Sequence, residues 1–284
     1  MFAFYGLVGL TLIILSYLFS YVFAHPSMHH LNFPFELGYW LFFDAIEMSL
    51  YGTSILQKIK NKWRLGLYLL FAGALIGLVL DFFGVYISKV WQYPVINTPF
   101  ELLMLYIDWG LVILMVYSSY RVFLYLAKEL VGRVGIKLAS KRVEKRIYPV
   151  LGIISVILLI VPFVFQLFFS TESISIISIG AVFLGLWFLA EYVEYQRMER
   201  SLLKDILDGY WTPLIAIVAG SVVLGLVWET MNLPVKAWIY TNIPLSNVQI
   251  LGVPLLIIIG WPALFVIYLS SYRALFKGRD VIWK

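Results

Sequence analysis

LGYWLFFDAIEMSLYGTS, residues 37–54, returns as LGLWFLAEYVEYQRMERS at residues 184–201. A shift of 147 positions lays Leu37, Gly38, Trp40, Glu47 and Ser54 on Leu184, Gly185, Trp187, Glu194 and Ser201, and Asp44 on Glu191. The same shift carries Leu56 and Ile59 onto Leu203 and Ile206, and Lys89, Trp91, Tyr93 and Ile96 onto Lys236, Trp238, Tyr240 and Ile243. With about five extra residues in the second half, Trp109 and Ser118-Ser119-Tyr120-Arg121 meet Trp261 and Ser270-Ser271-Tyr272-Arg273. Apolar residues coincide by chance in any membrane protein, whereas charged residues inside apolar runs are expensive to keep, so their coincidence is the informative part. The expected architecture is an all-α integral membrane protein of about eight spans. It divides into a four-span repeat over 1–127, a basic linker over 128–147 and a second four-span repeat over 148–284.

Composition agrees. Hydrophobic residues make up 62% of the chain and charged ones 13%, too much apolar surface for one globular core to hide. Cysteine is absent, which excludes thiol catalysis, disulfides, CxxCH haem attachment and cysteine zinc sites. Apolar runs able to cross about 30 Å of hydrocarbon lie near 3–23, 33–57, 65–87, 100–126, 149–170, 174–200, 212–230 and 250–273. The first lacks a basic leader and a small-residue cleavage site, so a retained span is expected rather than a signal peptide.

Nineteen of the twenty-one Lys and Arg fall in 58–64, 121–148, 197–208 and the tail after Ser271, all on one side of an eight-span chain. By the positive-inside rule that side and both termini are cytoplasmic, in a cell membrane. This confinement to loops beside spans fits membrane orientation, not nucleic acid. The exceptions are the matched pair Lys89 and Lys236, either interfacial snorkelling lysines or substrate contacts. Four spans per half is an even number, so the repeat is parallel, with a pseudo-twofold axis along the membrane normal. The linker, with seven basic and two acidic residues, is expected to be a helix lying on the anionic leaflet.

Intramembrane carboxylates are the first place to seek chemistry. Glu36, Asp44 and Glu47 share one face of the second span. Glu191 and Glu194 repeat the i, i+3 pair, and Asp108 adds another acid beside Trp109. Helix-to-helix polar contacts and a proton or cation path through Asp44, Glu47, Asp108, Glu191 and Glu194 both fit. On the outer side Asp81 and Glu229 end the third and seventh spans, each followed by Lys-x-Trp-x-Tyr and one position out of register under the simple shift. Trp91, Tyr93, Trp238 and Tyr240 serve equally as an interfacial aromatic belt or as a cage for a cation. Asn32-Phe-Pro-Phe-Glu36 and Asn97-Thr-Pro-Phe-Glu101 open two spans with capping logic. His25 and His29 are four apart, but Pro26 intervenes and no carboxylate cluster accompanies them or His30, so no metal site is expected. No Walker loop, GxGxxG or GxSxG stands in a strand-to-helix context, and no aspartate-rich diphosphate motif is present.

The stretch Trp228-Glu229-Thr-Met-Asn232, through Trp238-Ile-Tyr240, to Leu251-Gly252-Val253-Pro254-Leu255 resembles the repeated motif of membrane-bound carotenoid enzymes. These are the lycopene cyclase domain and the bacterioruberin-type carotenoid hydratases. Asp81, Trp91-Gln-Tyr93 and Pro99-Phe-Glu101 echo it in the first half. Where the cyclase pattern resembles Pro-Leu-Glu-Glu, Pro254 is followed here by Leu255 and Leu256. The resemblance implies acid/base cyclase or hydratase chemistry on an isoprenoid or carotenoid-like lipid, without a redox cofactor. Asp81, Glu101 and Glu229 are then acid or base candidates, and Trp91, Tyr93, Asn232, Trp238, Tyr240, Lys89 and Lys236 contact substrate. A proton- or cation-coupled transporter and a non-catalytic scaffold are the rival classes. An enzyme gathers its acids in an outer-half pocket, a transporter in a cavity near the midplane.

Overall fold

The computed structural model describes residues 4–132, 134–138, 141–168, 171–198 and 201–276. The basic tail beyond residue 276, and Arg133 of the linker, lie outside them. Helices follow the apolar runs in order: α1 (Phe4–Phe23), α2 (Asn32–Tyr51), α3 (Ile55–Asn61), α4 (Trp63–Asp81), α5 (Pro99–Leu130), α6 (Lys141–Phe168), α7 (Thr171–Met198), α8 (Leu202–Leu207), α9 (Thr212–Val235) and α10 (Leu255–Leu275). Seven of these, α1, α4, α5, α6, α7, α9 and α10, are long and apolar enough to cross a membrane. The chain is a multi-pass membrane protein. α2 is 20 residues long, but it carries Glu36, Asp44 and Glu47 and is not among the seven.

Burial is inverted relative to a water-soluble helix bundle. α1 buries Gly6, Gly9, Ser16 and Ser20 and exposes Phe4, Leu7, Leu10, Ile14 and Leu18. Small residues face inward because lipid is as apolar as leucine, so close backbone approach, not hydrophobicity, holds membrane helices together. A Cβ at Gly9 would meet the carbonyl oxygen of Gly38 at 2.6 Å, and one at Gly38 would meet that of Gly9 at 2.7 Å, which fixes the α1–α2 crossing. α1 also docks on α9, where the Tyr17 hydroxyl bonds the Val227 carbonyl and Tyr21 OH donates to Thr230 O at 2.9 Å. α5 lies at the centre, every residue from Gly110 through Tyr120 being buried, with α2, α4, α9 and α10 around it. α6 packs on α7, and α7 on α10.

Two expectations about the elements need correction, and one expected span, 65–87, holds with an unforeseen turn at its end. The run 33–57 breaks after Tyr51, where Gly52 adopts φ 69° and donates its N–H to Met48 O before α3 begins. The run 65–87 is α-helical only to Asp81 and then passes into one π-helical turn, Phe82–Ile87. The linker is not a surface helix over 131–138. Gly132 and Gly135 take φ of 70° and 138°, and the segment bonds a neighbouring loop instead. Leu138 N–H donates to Leu207 O, Trp211 N–H to Val134 O and Thr212 Oγ1 to Gly132 O, each at 2.8 Å. Glycines in such conformations stop a helix and leave its backbone groups to find other partners.

Two strands close one end of the bundle. β1 (Trp91–Gln92) pairs antiparallel with β2 (Ile239–Tyr240), Trp91 opposite Tyr240 and Gln92 opposite Ile239. A hairpin of β3 (Gln249–Ile250) and β4 (Val253–Pro254) leads into α10. Below the strand pair the α4–α5 and α9–α10 contacts use the same device. A Cβ built on Gly77 would overlap the Trp109 indole, and one on Gly225 the Trp261 indole. Gly77→Ala and Gly225→Ala are each expected to destabilise the protein by about 1–3 kcal/mol, read as a lower thermal unfolding midpoint in detergent. Gly180→Ala, where a Cβ meets nothing within 4 Å, is the control expected to leave the midpoint unchanged or raised.

Candidate functional site

Asp81 sits where α4 turns π-helical, 3% exposed. Its Oδ1 accepts from Trp91 Nε1 at 3.0 Å and Tyr93 OH at 2.8 Å, and its Oδ2 from Trp109 Nε1 at 2.9 Å. Glu229, near the end of α9 and also 3% exposed, is held by the same three residue types. Trp238 Nε1 donates at 3.3 Å, Tyr240 OH donates to Oε1, and Trp261 Nε1 donates at 3.3 Å. Aromatic N–H and O–H groups thus replace the water that each carboxylate has lost, and charge-assisted bonds offset the desolvation. Burial, and then the facing carboxylate, hold the Tyr93 and Tyr240 hydroxyls well above the ordinary tyrosine range, so both stay donors.

These cradles pull the connections inward. Gly84 leaves room for the Trp91 ring, and Val90 N–H donates to Gly84 O at 2.7 Å. At the second cradle the Asn232 side chain does the work, donating to Trp238 O at 2.8 Å and accepting from Trp238 N at 3.3 Å. Asn232 is therefore a turn-forming residue and does not line the cavity described next. Lys89 and Lys236 likewise do not line that cavity. Both are exposed, and what they share is a left-handed backbone, φ 50° and 52°, at the turn before each strand.

Between the cradles lies a cavity of about 190 Å³. Trp91, Tyr93 and Trp109 of the Asp81 cradle and Trp238, Tyr240 and Trp261 of the Glu229 cradle line it, as does Glu229 itself; Asp81 does not. Glu36 of α2 and Asp108 of α5 face the same space and are electrostatic neighbours. Glu36 is 1% exposed. Glu36 Oε2, Asp108 Oδ1, Asn32 Oδ1 and Trp228 Nε1 are buried and make no hydrogen bond to the described residues. Unmet buried polar atoms cost about 1–3 kcal/mol each, and four of them gather around this one cavity.

The other candidate acids each have structural partners. Glu101 is the N3 residue of the capping box that starts α5, its Oε2 accepting from Asn97 N at 2.7 Å, Thr98 N at 2.8 Å and Thr98 Oγ1 at 3.1 Å. It stands at the cavity's rim, not beside Asp81. Asp44 Oδ1 accepts from Leu56 N at 2.8 Å and Glu191 Oε2 from Leu203 N at 3.1 Å, tethering α3 and α8, whose N-caps are Ser54 and Ser201. Arg121 Nε reaches Glu47 Oε1 at 3.2 Å, and Arg273 Nε reaches Glu194 Oε1 at 2.7 Å. None of these four acids lines the cavity. Eight residues, about 12 Å of helix, separate Glu36 from Asp44, so one shared face serves two different ends of α2.

Glu36, Asn32 and Trp228 are the functional candidates that repeat matching passes over. Under the shift Asn32 and Glu36 fall on Ile179 and Phe183, and the offset joining Trp109 to Trp261 sets Asp108 on Gly260. All of these positions line the cavity. A polar residue at a cavity position whose counterpart is apolar was the signal available. Comparison with family models, curated proteins and solved structures finds no match for the chain.

Asp81→Asn and Glu229→Gln each replace an acceptor-only group by an amide whose NH2 faces an indole N–H. Losses of about 1.5–3 kcal/mol, the range for hydrogen bonds to charged groups, are expected, with a red-shifted tryptophan emission. An unchanged unfolding midpoint in both variants would contradict the cradle role.

Proposed function

We propose that this protein acts on an isoprenoid or other polyene-like lipid by acid/base chemistry of the cyclase or hydratase type. The cavity between the cradles is the site, and Glu36 and Asp108 handle the proton. The observation that carries the reading is two neighbouring carboxyl groups, each with an oxygen that makes no hydrogen bond to the described residues, facing one aromatic-lined space. Carboxyls so placed in an apolar site cannot both ionise, so the pair retains a proton. Transfer of that proton to an alkene carbon leaves a carboxylate and a carbocation. The faces of Trp91, Trp109, Trp238 and Trp261 stabilise the cation. The sequence is completed when a second double bond attacks and a neighbouring carbon loses a proton to the carboxylate, or when water adds and gives up its proton there.

The same reading takes the chain as a parallel duplication of eight spans, α2 included. Gln92 pairs with Ile239, its own counterpart under the 147-residue shift, and Trp91 with the counterpart of Tyr93, the pairing that a twofold axis between the strands requires. The two cradles, two tethers and two arginine–glutamate pairs repeat the relation. A transport path through Asp44, Glu47, Glu191 and Glu194 is less favoured, because those groups are engaged in helix tethers and ion pairs.

In liposomes holding an acyclic polyene and made up in D2O, turnover would place deuterium in the product. Glu36→Gln and Asp108→Asn are each expected to cut that incorporation at least 100-fold, the lower end for losing a general acid, with the fold intact. Full activity in both variants would sink the enzyme reading. For orientation, Lys89→Cys should react with an impermeant maleimide on intact cells and Lys60→Cys only after lysis; the reverse pattern would put the termini outside.

A further inference from the structure

A short 3-10 helix, Pro26–Leu31, leads into α2 and sets His29 and His30 side by side, ring centroids 3.8 Å apart and tilted by 44°. The first turn of α5 faces them with Glu101, whose Oε1 lies 3.9 Å from His29 Nε2. One ligand atom from each of the three residues falls within 4.8 Å of the others. Bonds of about 2.0–2.1 Å at tetrahedral angles separate zinc ligands by roughly 3.3 Å. Small rotamer changes therefore suffice to bring these atoms onto one ion.

The surroundings suit the task. The capping box fixes Oε2 of Glu101 with three donors, which presents Oε1 toward the histidines, as outer-shell hydrogen bonds orient metal-bound carboxylates. Two imidazoles and one carboxylate are also a ligand set that leaves a coordination position open in catalytic zinc sites. All three residues border the cavity.

We propose that His29, His30 and Glu101 bind one divalent transition-metal ion of the zinc class at the cavity's rim, with an open, water-filled position turned toward the cavity. Reading the chain without its fold misses this, because the third ligand comes from α5, about seventy residues beyond the histidines.

The test uses full-length protein purified without a histidine tag and stripped with chelator, titrated with cobalt(II) alone. The expected result is one equivalent bound, with the intense visible absorption of low-coordinate cobalt, displaced by zinc. His29→Ala and His30→Ala should each weaken binding at least 100-fold. Glu101→Gln should weaken it at least 10-fold while the unfolding midpoint holds, because glutamine also serves at N3 of a capping box. The pale spectrum of hexaaqua cobalt, or undiminished affinity in any of the three variants, would overturn the site. No lipid enters the measurement, so its failure leaves the Glu36–Asp108 reading standing.

Discussion

A carboxylate inside hydrocarbon must find donors from the protein itself, and this fold is organised around meeting that requirement. Asp81 and Glu229 each take two indole N–H groups and one phenol O–H. Two of the three donors in each cradle come from the connection beyond the helix, so satisfying the acid also folds the connection back over the bundle. That return places β1 against β2 and roofs the cavity. At the other end, Asp44 and Glu191 bind backbone N–H groups of α3 and α8, and arginines neutralise Glu47 and Glu194. Breaking a buried ion pair by removing one partner typically costs about 3–5 kcal/mol, which explains why such pairs persist as units.

The helices were legible because a 20-residue apolar run has few alternatives, and the tryptophans and tyrosines of the connections were legible as matched pairs. Breaks within the runs were not. Gly52 reads as one more small residue until its left-handed conformation ends α2, and nothing in Phe82–Ile87 announces a π-turn. The linker failed for a different reason: its charge pattern suits a surface helix, but Gly132 and Gly135 and the hydrogen bonds offered by the α8–α9 loop decide otherwise.

For the site, the acids that repeat matching picks out are largely the ones the fold itself engages. Asp44, Glu47, Glu191 and Glu194 match, and Asp81 nearly so, because the same structural problem arises twice, and each binds a backbone, arginine or aromatic donor of the fold. Such acids have little left to offer a ligand. Glu229 is the intermediate case, cradled like Asp81 yet lining the cavity. Glu36 and Asp108 have counterparts, Phe183 and Gly260, that need no donors at all.

That asymmetry bears on how one cavity can hold a long apolar ligand and a proton donor together. Matched positions from both cradles contribute their aromatic rings to the lining. Asn32, Glu36, Asp108 and the His29–His30–Glu101 group all come from the first half, whereas Ile176, Ile179, Phe183 and Gly260 face them from the second. A polyene seated there would meet most of its polar neighbours from the first half, with Glu229 the one lining carboxyl from the second. Had Phe183 and Gly260 carried acids as well, six carboxyls instead of four would line a space of about 190 Å³ and repel one another. The apolar second half is therefore as much a part of the proposed chemistry as the acids it faces, since it limits the charge the cavity must carry and leaves room for the ligand.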